Sequence, residues 1–245
     1  MAIMWMIALA AAGFLAAITT NSIGVGGGLL VMPLLALWFP ARQVVSFSTP
    51  MFLVNALITF FNYRKHWKVR RALWTLPWVL LGIVVGVHFL VVVSGHGLDW
   101  IIAIIALVFV SYEIYQRISG HRISGLAPWL SGPVGILAGG VSALSNIGGT
   151  LLSLFVLSPD VSPEGFIGSL ALLYVIMTGA KFGLFWARHL LGWQTLLWSL
   201  PSIPAIIMGA WTGKALHRRI RPEIFRPLVI GVILLSSVLL IVTPG

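Results

Sequence analysis

The chain contains no cysteine, which excludes disulfides, thiolate metal sites and cysteine nucleophiles. Charge is also scarce. Only 8% of its residues are Asp, Glu, Lys or Arg, and five of these are acidic, whereas a soluble domain carries about 25% charged residues. No His/Asp/Glu set has metal-ligand spacing, and no nucleophile–base pair can be placed. Gly24-x-Gly26 lacks the βαβ surroundings and acidic partner of a dinucleotide loop. An enzymatic reading therefore has little to stand on, and no metal or cofactor is expected. No ATP-binding motif is present either, so transport work would draw on ion gradients or membrane potential.

What the chain has instead is apolar sequence: 59% hydrophobic residues and a mean hydropathy of +1.05. Apolar segments fall at roughly 3–20, 23–39, 44–63, 72–94, 99–117, 129–143, 147–158, 164–187, 194–215 and 225–243. They recur from end to end and leave no room for a separate soluble domain. The run from Met1 to Thr20 lacks a basic n-region and is followed by more apolar sequence, so it reads as a retained membrane segment. A formal charge of +10 would suit nucleic acid. The basic residues, however, sit in short loops between apolar runs, as the positive-inside bias predicts. The expected partner is the lipid bilayer and not nucleic acid; a homo-oligomer is left open.

Two of the apolar runs are broken in the same way. The first break is Asn21-Ser22-Ile23-Gly24-Val25-Gly26-Gly27-Gly28-Leu29-Leu30. The second, about 122 residues later, is Ser145-Asn146-Ile147-Gly148-Gly149-Thr150-Leu151-Leu152. Glycine weakens a helix, and freed backbone groups find no water in hydrocarbon. Paired breaks of this kind point to a binding site between two transporter repeats. The halves also share Gly13-Phe14-Leu15-Ala16 with Gly135-Ile136-Leu137-Ala138, and Leu73-Trp74-Thr75-Leu76-Pro77 with Leu197-Trp198-Ser199-Leu200-Pro201. The expected organisation is a first repeat over 1–117, a linker over 118–132 and a second repeat over 133–245.

Charge decides the relative orientation. With five segments per half, Arg64, Lys65, Lys68, Arg70 and Arg71 share a face with Arg117, Arg122, Lys214, Arg218, Arg219, Arg221 and Arg226, and with Asp160, Glu164 and Glu223. The opposite face carries Arg42, Asp99 and Arg188. With four crossings per half the bias disappears. The expected fold is therefore an all-α polytopic membrane protein, built from two inverted-topology repeats with broken or re-entrant glycine-rich helices. Both termini are expected outside a cell (plasma or inner) membrane, with the basic loops in the cytoplasm.

The run Gly24-Val25-Gly26-Gly27-Gly28-Leu29-Leu30-Val31-Met32-Pro33-Leu34 resembles the first-repeat signature of the TauE/SafE sulfite exporter family. Asn146-Ile147-Gly148-Gly149-Thr150-Leu151 resembles the family's second glycine motif, with Asn146 and Thr150 where glycine often stands. Val45-Ser46-Phe47-Ser48-Thr49 is similar to its small-and-hydroxyl stretch. The resemblance implies export of sulfite or small organosulfonates such as sulfoacetate.

An oxyanion needs donors that do not strand full charges in lipid. A broken helix offers them as freed N–H groups at the positive end of the following half-helix. Gly24, Gly26, Gly27 and Gly28, with Gly148, Gly149 and Thr150, are the candidate cradle. Asn21, Ser22, Ser145 and Asn146 could cap the half-helices or donate directly to the anion. Ser48, Thr49 and Ser169 are further hydroxyl candidates, although such groups often bond back to their own helix. Lys181 lies within an apolar segment, where it could neutralise the anion or snorkel towards Arg188. His88 could relay a proton. Glu113 and Arg117 have the spacing of a local ion pair. Gly13, Gly82, Gly86 and Gly209 are expected to serve helix packing. The eleven tryptophans suit interfacial anchoring. The expected function is secondary transport of a small sulfur-containing anion by alternating access. The alternatives are a passive anion channel, a non-transporting membrane scaffold or, least supported, an intramembrane enzyme.

Overall fold

The structure is a computed structural model that describes residues 2–66, 73–93, 95–119, 130–156 and 161–219. Among the described residues there are ten helices and no strand: α1 (Ala2–Ile23), α2 (Gly27–Ala36), α3 (Ala41–Tyr63), α4 (Leu76–Val92), α5 (Gly95–Ser119), α6 (Ser131–Ser145), α7 (Gly149–Val156), α8 (Pro163–Ala187), α9 (Trp193–Ser199) and α10 (Ser202–Arg219). The expected apolar segment 225–243 and most of the expected linker lie outside the described residues, as do the side chains of Asp99, Glu113 and Arg117. The last residues assigned to the linker already belong to α6, which starts at Ser131.

Spans Ile3–Ile23, Ala41–Tyr63 and Pro163–Ala187 are long and apolar enough to cross a bilayer. Helices α9 and α10 pass the same test together, as a pair bent by 44°. The outer surface suits hydrocarbon. Val84, Val85, Phe89 and Val92 of α4 are exposed, as are Met208 and Trp211 of α10.

Packing is exchanged between the halves. Helix α1 lies most extensively against α10, α4 against α6, and α3 against α8. Small residues make the first two contacts close. A Cβ at Gly82 would overlap the Ile136 carbonyl, and one at Gly86 would meet Ala143 and Gly140. Gly209 and Gly213 likewise face the Phe14 and Ile18 carbonyls, and Gly13 faces Ile206. Lipid tails are as apolar as leucine, so close van der Waals approach through small residues is what holds such helices together.

The helix ends follow ordinary chemistry. The Ser162 side chain accepts from the Gly165 N–H at 3.1 Å, and Pro163 opens α8. Arg42 donates to the Val93 carbonyl at 2.6 Å and the Val91 carbonyl at 3.2 Å, satisfying the end of α4. Trp38, Trp74, Trp193 and Trp211 are exposed, as anchors would be. Trp5 is a departure from that expectation. It is buried and stacks on Phe39 at 3.7 Å, next to Phe47, which in turn meets Trp198. Another contact region gathers polar groups from α1, α3, α8 and α10. There His217 Nδ1 lies 2.7 Å from the Ser22 carbonyl, His217 Nε2 lies 3.8 Å from Glu164, and Lys214 sits over the Tyr63 ring.

Candidate functional site

Helix α1 ends at Ile23 and α2 begins at Gly27. Between them Gly24 and Gly26 take φ values of 84° and 96°, a region that glycine enters without steric cost. Helix α6 ends at Ser145, and Asn146 follows in the left-handed region with φ 56°. The two breaks meet backbone to backbone, since a Cβ on Gly28 would overlap the Asn146 carbonyl oxygen.

A cavity lies at this meeting point. It is lined by Thr20, Gly26, Gly27, Gly28, Phe52, Asn55, Ala56, Ser142, Asn146, Ile147, Gly149, Thr150, Tyr174, Met177 and Thr178. Its volume is about 50 Å³, whereas one water needs roughly 10–15 Å³ on the same measure. That is the space of a few water-sized atoms, the scale of a three- or four-oxygen anion. Most of the lining comes in pairs at one constant spacing of about 122 residues: Thr20 with Ser142, Gly27 with Gly149, Gly28 with Thr150, Phe52 with Tyr174, Asn55 with Met177 and Ala56 with Thr178. Both halves thus contribute equivalent positions.

The donors come first from α2. No side chain caps its N-terminus, and its first backbone bond is Leu30 N–H to the Gly26 carbonyl. The N–H groups of Gly27, Gly28 and Leu29 stand ahead of that bond, where a helix offers them no acceptor. Helix α7 offers less, because its Thr150 and Leu151 N–H groups already bond the Ile147 and Gly148 carbonyls. Its contribution is the Gly149 N–H and the Thr150 side chain.

Lys181 stands behind the cavity. It is 1% exposed, so it does not snorkel. Its ammonium donates to the Asn146 side-chain oxygen and, at 3.1 Å, to the Ser142 carbonyl. It also lies 5.8 Å from the Phe185 ring centroid. Among the described residues no carboxylate pairs with it. Asn146 turns its amide N–H₂ the other way, to Ser48 at 3.0 Å and to the Val45 carbonyl and Met32 sulfur. Asn146 lines the cavity, whereas Lys181 and Ser48 stand one hydrogen bond behind it.

Of the candidates read from the sequence, Gly26, Gly27, Gly28, Asn146, Gly149 and Thr150 line the cavity. Gly24 instead packs on Phe166 and Ile167, and Gly148 packs on Ala138 and Ser142. Asn21 bonds Thr59, Asn62 and Tyr63 and caps nothing. Ser22, Thr49 and Ser145 each bond back to their own helix at 2.7 Å. Ser169 is buried away from the cavity lining, and His88 is exposed on the outside of α4. Thr20, Asn55, Ser142, Tyr174 and Thr178 line the cavity without having been singled out. Their shared spacing is the signal that could have found them.

Spanning helices, two interrupted ones and a cavity at the interruptions define a polytopic, all-α membrane protein of the transporter class. Residues 9–240 match the family described as sulfite exporter TauE/SafE, and the chain belongs to that family. Membership places it in a family of sulfite and sulfur-anion exporters, a transporter family. No characterised protein and no solved structure matches the chain significantly.

Proposed function

We propose that this chain exports a small sulfur-containing anion, sulfite or an organosulfonate such as sulfoacetate, holding it between the two helix breaks during alternating access. The observation that carries this reading is the cavity itself. Residues that open α2 and α7 line it, and a buried lysine with no carboxylate partner among the described residues stands one side chain away. A basic side chain in a membrane interior marks a candidate site on an anion's path. The exchanged pairing of α1 with α10 and of α6 with α4 supports two repeats related by an inverted axis. The charge bias supports cytoplasmic basic loops and outward-facing termini. In a cell with a negative interior, the membrane potential then favours export by about 2.3 kcal/mol per charge per 100 mV.

The test is anion titration of the purified protein with sulfite, sulfoacetate, sulfate, chloride and acetate, alongside Lys181→Met. Saturable binding that prefers a sulfur oxyanion, and that weakens about tenfold to a hundredfold in the folded variant, is expected from loss of a charge-assisted partner. Equal binding of all the anions, or none, would overturn the assignment. Counterflow in proteoliposomes separates a carrier from a passive channel.

A further inference from the structure

The end of α1 that leads into the first break is held by side chains from two other helices. Tyr63 of α3 donates its hydroxyl to the Asn21 carbonyl at 2.8 Å, and His217 of α10 sets Nδ1 2.7 Å from the Ser22 carbonyl. Both carbonyls belong to the last turn of α1, where a helix leaves its acceptors unsatisfied. A carbonyl only accepts, so Nδ1 of His217 carries a hydrogen. In a neutral ring Nε2 would then be a bare lone pair. It faces Glu164 Oε1 of α8 at 3.8 Å, which would set acceptor against acceptor. Only the imidazolium offers N–H groups to both sides. A cation at the negative end of α1 is favoured by the helix dipole as well. The geometry thus fits a protonated ring, and imidazole is the side chain that changes charge near neutral pH.

The other titratable groups facing this ring are Lys214, one turn back on α10 with its Nζ 5.7 Å from the Tyr63 ring centroid, and Tyr63 itself, edge-on at 6.5 Å. Helix α1 carries no titratable residue, and the His66 carbonyl lies beside Gly165 at the start of α8. The matching contact stands at the other end of α3. By the spacing of the two Leu-Trp-x-Leu-Pro motifs His217 corresponds to Val93, and by the spacing of the cavity pairs Glu164 corresponds to Arg42. There Arg42 donates to the Val93 carbonyl at 2.6 Å, a bond that no change near neutral pH can break, because arginine keeps its charge. One end is fastened permanently and the other through a titratable ring.

Resting on the alternating-access reading above, we infer that His217 is the proton-binding residue that gates the cavity at the end bearing the basic loops. Protonated, it fastens α10 to Glu164 and to the last turn of α1, and that end is closed. Without the proton it is repelled by Glu164, and that end opens. Thr20 of α1 and Tyr174, Met177 and Thr178 of α8 are walls of the cavity, so movement of either helix end reaches the site.

The experiment is thiol labelling, which needs no anion. The chain has no cysteine of its own, so Ser142→Cys places a single reporter in the cavity lining of the full-length protein. A membrane-impermeant maleimide is applied to vesicles whose basic-loop end faces the reagent, at about pH 6 and about pH 8, either side of the range in which imidazole titrates. Each rate is divided by that of glutathione at the same pH, which removes the ionisation of the thiol. Corrected labelling is expected to be about threefold to fivefold slower at the acidic pH, the effect of a partly exposed ion pair. The difference is expected to vanish in His217→Gln and to shrink in Glu164→Gln. A purely structural role for His217 would change both rates together and leave their ratio alone. Equal corrected rates at the two pH values, faster labelling at the acidic one, or a pH difference that persists in folded His217→Gln would each overturn the inference; the last would show another group titrating. The pair of rates with His217 and Glu164 in place needs neither variant to fold. A pH-gated cavity in a protein that binds no anion in the titration above would keep the gate and remove the anion.

Discussion

The two helix breaks do the same backbone work with different chemistry. The first uses glycines with positive φ and brings no side chain of its own to the cavity from Gly26, Gly27 or Gly28. The second uses Asn146, whose amide joins Lys181 to Ser48. The supporting helices differ in parallel. One turn beyond the lining residue Ala56 stands Thr59, bonded to Asn21 at 3.0 Å. One turn beyond its counterpart Thr178 stands Lys181. Thr59 and Lys181 thus occupy matching places, while their asparagine partners do not: Asn21 matches Ala143 and Asn146 matches Gly24. The matched spacing supplies the cradle twice, and in the proposed reading a single positive charge suffices for one small anion. A second buried ammonium would add desolvation cost without adding a ligand.

This contrast can be broken most severely at Gly148. Its equivalent by spacing, Gly26, has open space where a Cβ would stand, whereas a Cβ on Gly148 would overlap the Ala138 carbonyl. Gly148→Ala is expected to cost about 1–3 kcal/mol or more through overpacking and to reduce the yield of folded, monodisperse protein. Gly26→Ala is expected to fold, with about 1–2 kcal/mol of left-handed backbone strain; size-exclusion profiles compare the two. If Gly148→Ala behaves like Gly26→Ala, the close packing of the second break is wrong.

The charge comes next. Lys181→Thr makes the second half like the first and is expected to weaken anion binding about tenfold to a hundredfold. Adding Thr59→Lys moves the ammonium to the matching place and is expected to restore part of that loss, read by the same titration. No recovery would mean that the halves are not interchangeable around the cavity.

Asn146→Gly removes the bonds to Lys181 and Ser48. We expect a loss of about tenfold in affinity, consistent with one or two hydrogen bonds, with folding retained. The smallest effect is expected at Asn21 and Thr59. Thr59→Val deletes a buried bond worth about 1 kcal/mol and should lower thermal stability slightly with unchanged anion affinity. An affinity change there would mean that the Asn21–Thr59 pair also takes part in binding.

Much of this fold was legible along the chain. Apolar length and scarce charge require membrane-spanning helices, and the glycine runs mark where α1 and α6 are interrupted. The cavity was legible where backbone alone makes it, at Gly26, Gly27, Gly28, Gly149 and Thr150. It was harder to read at Asn55, Tyr174 and Thr178, because a polar group within an apolar run does not itself show which helix face it occupies, and only the shared spacing marks these positions. Ser22, Thr49 and Ser145 carry the same hydroxyl chemistry as the lining residues Thr20 and Ser142, yet each bonds back to its own helix.

By itself the sequence determined an all-helical membrane protein with two matched interruptions, because the absence of charge, the apolar length and the glycine placement act locally along the chain. Only the tertiary structure decided which of those groups share a cavity. It pressed Gly28 against the Asn146 backbone, placed Lys181 behind Asn146 and left Asn55 Oδ1 without a partner. These are relations between helices far apart in sequence. They depend on crossing angle, register and close approach, which arise when the helices pack together.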